Sequence, residues 1–220
     1  LSLGRLKGGE TRSTAFGISS NGSVIVGNVY TRKGVKACYW TEKRNGTYNL
    51  HNLKGGGAFA RANDVSADGS VITGTGESAN GLEAFRWTKK DKMVGLGNLG
   101  GRVPRSIGSA ISADGFTIVG HSDSPSGTVA FYWTDERGMV SLGDLNGGFT
   151  MATDVSEDGS VIVGFGEMED RITAFIWDGV YGMQSLINVL IEGGVDMTGW
   201  RLLHAEGVSD DGASITGYGI

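Results

Sequence analysis

Hydrophobic and polar residues alternate over short stretches of this chain, as expected for extended segments whose two faces differ in exposure. In "EAFRWT", residues 83–88, Phe85 and Trp87 fall on one side of an extended chain. Ala84 and Arg86 fall on the other side. This two-residue period predicts a β-strand with different neighbours on its two faces.

A ten-residue segment that is typical of a β-hairpin occurs five times. "DVSADGSVIT" at residues 64–73 has close variants in "GISSNGSVIV", "AISADGFTIV", "DVSEDGSVIV" and "GVSDDGASIT". Asn-Gly or Asp-Gly between two apolar stretches is typical of a type I′ turn, in which both central residues have positive φ. A second glycine closes each following strand, and for it we predict a β-bulge or a close approach of two backbones. These closing glycines are Gly27, Gly74, Gly120, Gly164 and Gly217.

The spacing of the tryptophans gives the length of the repeat. Trp40, Trp87, Trp133 and Trp177 follow one another at about 46 residues. That is the size of one four-stranded propeller blade. We therefore predict an all-β fold, a β-propeller of about five four-stranded blades with the last blade incomplete. One blade cannot cover its own apolar faces, so neighbouring blades must bury them.

The predicted units divide a single domain, 1–220, into blades. Complete units span about 11–53, 58–99, 105–145 and 150–190, and a partial unit spans 200–220. The N-terminal strand 1–3 is a candidate for the outer strand of the partial unit. The third strand of that unit is missing, and we expect the native chain to continue past Ile220 or the ring to be larger.

One stretch, 186–207, lengthens the last repeat. The spacing of Leu186, Val189 and Leu190 predicts a single helical turn. Trp200 is the one tryptophan outside the repeat. The stretch is interpreted as a longer connector with its own small core, and a cap or a partner-facing element is the alternative.

Composition excludes several classes of function. The formal net charge is −5, the pI is about 5.2, and the basic residues are scattered. We therefore expect neither a nucleic-acid partner nor a polybasic membrane patch. No apolar run is long enough to span a bilayer, so we expect no direct membrane insertion by this segment. Cys38 is the single cysteine, which excludes an intramolecular disulfide and argues against a cysteine metal site.

Little in the sequence indicates catalysis. The turn carboxylates, such as Asp68, come one per loop, which favours a turn role over calcium binding. The three histidines fall at different places in the repeat, and no nucleophile-elbow motif occurs. We predict no catalytic residue, no metal site and no cofactor.

Three residues are candidates for ligand binding. Asp64 and Asp154 precede Val-Ser in the innermost strands of two non-adjacent units, where side chains can face the central channel. Two carboxylates near one axis could bind a cation or act as an acid/base pair. A polar cap on a strand end is the alternative. Trp200 could contribute one aromatic surface to a ligand.

Three motifs in fixed order, "SxDGSxIVG", "EAFRWT" or "VAFYWT", and "GMVSLGDLNGG", resemble the bacterial extracellular HAF-repeat family. The resemblance covers essentially the whole chain. It departs at the residue that gives the family the first letter of its name, because the four alanines follow Lys36, Glu83, Val129 and Thr173 instead of histidine. The resemblance implies an exported or cell-surface bacterial protein, often the passenger of an autotransporter. The family has no established catalytic residues to transfer.

From these observations we predict a secreted or cell-surface repeat domain that acts as a binding or adhesion platform for a protein or glycan partner. Two alternatives stay open at this point. One is a glycan-active hydrolase or lyase that uses channel carboxylates. The other is a purely structural passenger domain without a ligand of its own.

Overall fold

A computed structural model describes residues 3, 9–42 and 46–220. The described chain consists of antiparallel sheets with one short helix, in four four-stranded blades and a two-stranded fifth blade. Blade 1 comprises β1 Gly9–Ile18, β2 Val24–Thr31, β3 Gly34–Thr41 and β4 Gly46–Asn49. Blade 2 comprises β5 Ala60–Val65, β6 Val71–Ser78, β7 Gly81–Thr88 and β8 Lys92–Gly95. Blade 3 comprises β9 Ser106–Ile111, β10 Ile118–Ser124, β11 Gly127–Thr134 and β12 Gly138–Ser141. Blade 4 comprises β13 Thr150–Val155, β14 Val161–Met168, β15 Arg171–Asp178 and β16 Gly182–Ser185. Helix α1 Leu186–Glu192 follows, and blade 5 comprises β17 Leu202–Val208 and β18 Ile215–Gly219.

The inner strands stand side by side in chain order. Each of β1, β5, β9 and β13 contacts the inner strand of the next blade, and the other strands of each blade follow outward in sequence. This radial arrangement confirms the predicted propeller of about five blades with an incomplete last blade.

Apolar cores lie between blades, as the repeat requires. Phe85 and Trp87 pack against blade 1, whereas Ala84, on the other face of the same strand, packs against blade 3. Trp87 is only 7% exposed. The predicted two-faced strand is therefore confirmed, and each strand of this type joins two separate cores.

The hairpin turns differ from the expected type I′ geometry. In the turn between β5 and β6 of blade 2, Gly69 has positive φ, at 77°, and Asp68 does not. The carboxylate Oδ1 of Asp68 instead accepts bonds from the Ser70 amide at 2.8 Å and the Ser66 hydroxyl at 2.7 Å. The type I′ prediction was wrong because the aspartate side chain accepts the hydrogen bonds of the turn, and the aspartate backbone does not adopt a left-handed conformation.

The glycine that closes the second strand of each blade is explained by a close backbone approach. A Cβ on Gly74 would lie 2.0 Å from the carbonyl oxygen of Arg61 on the inner strand. A Cβ on Gly120 would lie 1.9 Å from the carbonyl oxygen of Ile107. The inner strand also shifts register at this level in all five blades, which is a β-bulge. Both predicted features are thus present together.

The two ends of the predicted repeat are described only in part. The helical turn predicted from Leu186, Val189 and Leu190 is confirmed by α1, whose Leu186 is buried in the core between blades 4 and 5. Residues 1 and 2 of the predicted N-terminal strand lie outside the described residues. The carbonyl oxygen of Leu3 accepts a bond from the Thr47 hydroxyl at 3.3 Å, and its side chain packs with Trp40.

Candidate functional site

Each inner strand has a β-bulge at the level of the glycine that closes the second strand. At the bulge, one residue of the inner strand has no partner on the second strand. These five residues are Phe16, Asn63, Ser109, Thr153 and Glu206. Two of them connect blades directly. Asn63 Nδ2 donates to the Gly108 carbonyl at 2.6 Å, and Thr153 Oγ1 donates to the Ala205 carbonyl at 2.7 Å.

Asp64 follows the bulge of blade 2 and bonds to the next blade. Its Oδ1 accepts from the Val65 amide at 2.8 Å, and its Oδ2 accepts from the Ile111 amide of blade 3 at 2.9 Å. Asp154 has the same arrangement in blade 4, where its Oδ2 accepts from the Val208 amide of blade 5 at 2.9 Å. Both carboxylates therefore fasten one inner strand to the next, and a ligand-binding role for them stays a prediction.

The residues at the equivalent positions of the other blades are small. A Cβ on Gly17 of blade 1 would lie 3.1 Å from Asp64 Oδ1. A Cβ on Gly207 of blade 5 would lie 3.0 Å from Thr216 Oγ1 and at an ordinary contact distance, 3.5 Å, from Asp154 Oδ2. The equivalent residue of blade 3 is Ala110, which is buried. At Gly17 the absence of a side chain therefore leaves room for the Asp64 carboxylate.

The electrostatic environment of Asp64 disfavours its charge. Removal from water raises the pKa of Asp64 to about 6, against the two amide bonds that lower it, and the charge of Asp154 adds to the rise. Burial likewise raises the pKa of Asp154, and the charge of Asp210 contributes. A carboxyl with a raised pKa can act as a general acid, but the oxygens of Asp64 are both committed to backbone amides.

We expect Asp64 to make the protein less stable as the pH rises from about 4 to 6. Its pKa is higher in the folded state than in the unfolded chain, so over this range the unfolded state loses its proton first and gains stability. A shift of this size corresponds to about 2–3 kcal/mol in the free energy of unfolding. Urea unfolding at pH 4 and pH 7 measures the difference in the free energy of unfolding between wild type and Asp64→Ala. The advantage of the wild type should be smaller at pH 7 than at pH 4 by about 2–3 kcal/mol.

Asp158→Ala is the matched control. Asp158 is an exposed turn carboxylate whose pKa is lowered by bonds from Ser160 and Ser156. Its stabilising effect is therefore lost as the pH falls, which is the opposite sign. A wild-type advantage over Asp64→Ala that does not change with pH would contradict the described environment of Asp64.

Trp200 is placed away from the two aspartates. It follows α1, is 58% exposed, and lines a cavity of about 390 Å³ beside blade 5 together with Leu190 and Tyr218. Asp64 and Asp154 lie on the inner strands of blades 2 and 4. The structure therefore does not bring the three predicted ligand-binding residues into one site.

A groove of about 770 Å³ opens at the surface between blades 3 and 4. Its floor contains Tyr132 and Trp177, whose ring centroids are 5.6 Å apart. Phe116 and Val180 flank it and are 67% and 82% exposed. Neither Asp64 nor Asp154 lines this groove. The site offers aromatic and aliphatic surface that water does not favour.

The sequence carried a signal for this groove in the departures from the repeat. Phe116 occupies the position that is serine in three other hairpins and alanine in the last, at Ser23, Ser70, Ser160 and Ala213. The loop at 178–182, "DGVYG", has Val180 and Tyr181 where the corresponding loops carry charged residues. Asp178 Oδ1 holds this loop by accepting the Val180 and Tyr181 amides at 2.7 and 2.8 Å. Comparison of each copy of the repeat with the others would have revealed both of these departures.

Among the described residues no cluster of three or more histidine, cysteine or acidic side chains is arranged to hold a metal ion. Within the same part of the chain, no helix has the length and apolar character needed to cross a membrane.

Solved structures of similar shape are propellers or contain them. A scan against protein-family models and a search of curated proteins give no match. TolB from Acinetobacter baumannii superposes with a TM-score of 0.55 at 14% identity, over 80% of this chain and 42% of that protein. A candidate TolB from Agrobacterium tumefaciens has a TM-score of 0.59 at 16% identity, over 80% and 65%. The chain folds as a β-propeller.

A third similar structure is a puromycin hydrolase mutant, with a TM-score of 0.52 at 17% identity over 79% of this chain and 28% of that protein. This chain spans less than two thirds of the length of each of these proteins. At such low identities the likeness shows the propeller fold and no particular function.

Proposed function

We propose that this propeller is a non-enzymatic binding platform whose groove between blades 3 and 4 holds an extended, basic segment of a protein partner. The observation that carries the proposal is the exposure of Phe116 and Val180 in a groove that Tyr132 and Trp177 also line. Contiguous apolar surface of this kind marks interaction sites in soluble proteins. A volume of about 770 Å³ is within the range of pockets that bury a ligand.

The charge of the groove supports a basic partner. Three acidic side chains, Asp135, Glu136 and Asp178, line it together with one arginine. That arginine, Arg137, donates to the Tyr132 hydroxyl at 3.2 Å. The acidic rim would attract lysine or arginine side chains, while apolar side chains of the same segment contact Phe116 and Val180.

The binding role is favoured over a glycan hydrolase or lyase because the carboxylates of the inner strands are bonded to backbone amides. Both oxygens of Asp64 accept backbone amides, and Asp154 bonds to the next blade in the same way. An acid/base pair needs oxygens that can reach a substrate. A purely structural passenger would not need the exposed apolar side chains that break the repeat at Phe116 and Val180.

We further propose that the protein acts outside the cytoplasm, at the bacterial cell surface, as a repeat domain used in adhesion. The resemblance of its three motifs to HAF repeats supports this location. The state of Cys38 is compatible with it, because the thiol is fully buried and burial raises its pKa to about 12. A thiol of this kind is unreactive toward oxidants.

The experiment that tests the groove uses two peptides of matched apolar content, one rich in lysine and leucine and one rich in glutamate and leucine. We expect the basic peptide to bind with a Kd in the micromolar range, measured by the fluorescence of the half-buried Trp177 and by calorimetry. Phe116→Ser, which restores the residue of the other hairpins, should weaken binding about tenfold, since burial of a phenylalanine contributes roughly 1.5–3 kcal/mol.

Phe116→Ser should change the free energy of unfolding by no more than about 0.5 kcal/mol, because Phe116 is exposed. The exposed Val94 on the outer strand of blade 2 offers a matched control, Val94→Ser, which should leave peptide binding unchanged. Equal binding of the two peptides, or binding that Phe116→Ser does not weaken, would refute the proposed groove.

A further inference from the structure

A separate cavity of about 470 Å³ opens among the inner strands of blades 1, 2 and 3. Phe16 and Phe59 supply aromatic walls, and Asn63 and Ser109 are bulge residues that face it. Arg61 lies at its exposed mouth. The cavity shares no lining residue with the groove between blades 3 and 4.

Two polar atoms, each on a residue that lines this cavity, are buried and lack a partner among the described residues. They are the hydroxyl of Thr75 and the side-chain oxygen of Asn63. Thr75 is only 4% exposed. The Asn63 amide nitrogen is already used on the Gly108 carbonyl at 2.6 Å, so the free atom is the acceptor. A buried polar atom without a hydrogen bond destabilises the fold, and a ligand that donates to these atoms would remove that cost.

Arg61 adds a cation without a counter-charge. Its guanidinium carbon lies 3.9 Å from the centroid of the Phe16 ring, which holds the group over the cavity mouth. In the part of the chain that the structure describes, no carboxylate forms an ion pair with Arg61. A free guanidinium in a fixed position is well suited to a carboxylate, which it can bind through two parallel hydrogen bonds.

The polar position at Thr75 recurs in the neighbouring blades. The residue after the closing glycine of the second strand is Asn28 in blade 1 and His121 in blade 3. Asn28 Nδ2 and His121 Nδ1 also lack partners among the described residues. The same position is aromatic in the last two blades, as Phe165 and Tyr218. At this position, unpartnered polar groups therefore occur in the three blades that form the cavity, and of these groups the cavity is lined by that of Thr75.

We propose that this cavity binds an acidic sugar, such as a hexuronic acid residue of a polysaccharide. The sugar carboxylate pairs with Arg61, and its hydroxyls bond to Asn63 Oδ1 and to the Thr75 hydroxyl. One face of the sugar ring lies against Phe16. A uronic acid ring carries several hydroxyl groups and one carboxylate. The hydroxyls can bond to the two unpartnered oxygens, and the carboxylate can pair with Arg61. The cavity volume is within the range found for small-molecule sites.

The test titrates the chain with glucuronate, glucose and N-acetylglycine, followed by calorimetry and by NMR of the protein. Glucuronate is expected to bind with a Kd in the millimolar range and at least about tenfold more tightly than glucose. Arg61→Gln should weaken glucuronate binding about tenfold. Thr75→Val should also weaken it about tenfold without lowering the melting temperature, because the hydroxyl that it removes has no partner in the fold.

Two controls separate this site from other effects. Arg171→Gln removes an exposed arginine of blade 4 and should leave glucuronate binding unchanged, as should Phe116→Ser in the groove. If Thr75→Val does not fold, Arg61→Gln alone decides, since Arg61 is exposed. The proposal is overturned if glucuronate shows no saturable binding in the millimolar range, if glucose binds equally well, or if neither variant weakens binding. Preferential binding of N-acetylglycine would overturn it in favour of a peptide carboxylate.

Discussion

Truncation of Trp87 to alanine is expected to lower the free energy of unfolding by about 3–5 kcal/mol, the usual range for a large buried aromatic side chain. Trp87 is 7% exposed and lies in the core between blades 1 and 2 with Phe85 and Val26. Its removal would leave a cavity that two rigid sheets cannot close. Urea unfolding followed by far-UV circular dichroism measures the loss.

Two other variants show what part of the effect comes from packing. Trp200→Ala truncates the same side chain at a site that is 58% exposed, and we expect a change below about 1 kcal/mol. Trp87→Phe keeps most of the ring and removes an indole N–H that has no partner among the described residues. We expect it to destabilise by less than about 1.5 kcal/mol. Equal losses for Trp87→Ala and Trp200→Ala would contradict a buried role for Trp87.

Gly120→Ala should destabilise by about 3 kcal/mol or more, which is the upper end of the range for overpacked cores. The new methyl group would lie 1.9 Å from the carbonyl oxygen of Ile107, so the second strand of blade 3 would have to separate from the inner strand. The methyl group cannot rotate away, because the position of a Cβ is fixed by the backbone. Thermal unfolding of the variant measures the effect.

Gly179→Ala adds the same methyl group where no atom lies within 4 Å. It is exposed, in the loop after β15, and its φ is not in the left-handed region. We expect a change within about 0.5 kcal/mol. A stable Gly120→Ala variant with native cooperativity would mean that the two backbones are further apart than described.

The sequence was sufficient to predict the repeat architecture because the packing demand is the same in every blade. The Phe85 and Trp87 side of one strand and the Ala84 side of the same strand enter two different cores, as their alternation predicted. Similarly, a glycine such as Gly74 is required wherever two backbones approach to this distance. Features imposed by local geometry recur in the letters, and they could be predicted.

The turn type and the role of the aspartates could not be predicted in the same way. Whether Asp68 adopts positive φ depends on competition between its backbone and its side chain, and both outcomes have the same sequence. The partner of Asp64 is the amide of Ile111, which has no side-chain signature in the sequence. Long-range contacts to backbone atoms leave little trace in composition or spacing.

The candidate sites were missed because they depend on exceptions. Phe116 and Val180 interrupt the repeat, and their proximity follows only once blades 3 and 4 are placed face to face. The unpartnered oxygens of Asn63 and Thr75 become visible only after the hydrogen bonds of the described chain are assigned. The sequence instead drew attention to Trp200, which lies beside blade 5 and apart from both sites.

The interaction energy between Tyr39 and Trp87 tests most directly whether the blades bury their aromatic faces against each other. The two rings belong to different blades, and their centroids are 5.4 Å apart. A double-mutant cycle with Tyr39→Ala and Trp87→Ala, measured by urea unfolding, should give a coupling of about 0.5–1.5 kcal/mol. Strictly additive losses would contradict the contact between blades 1 and 2, and with it the packing on which the propeller depends.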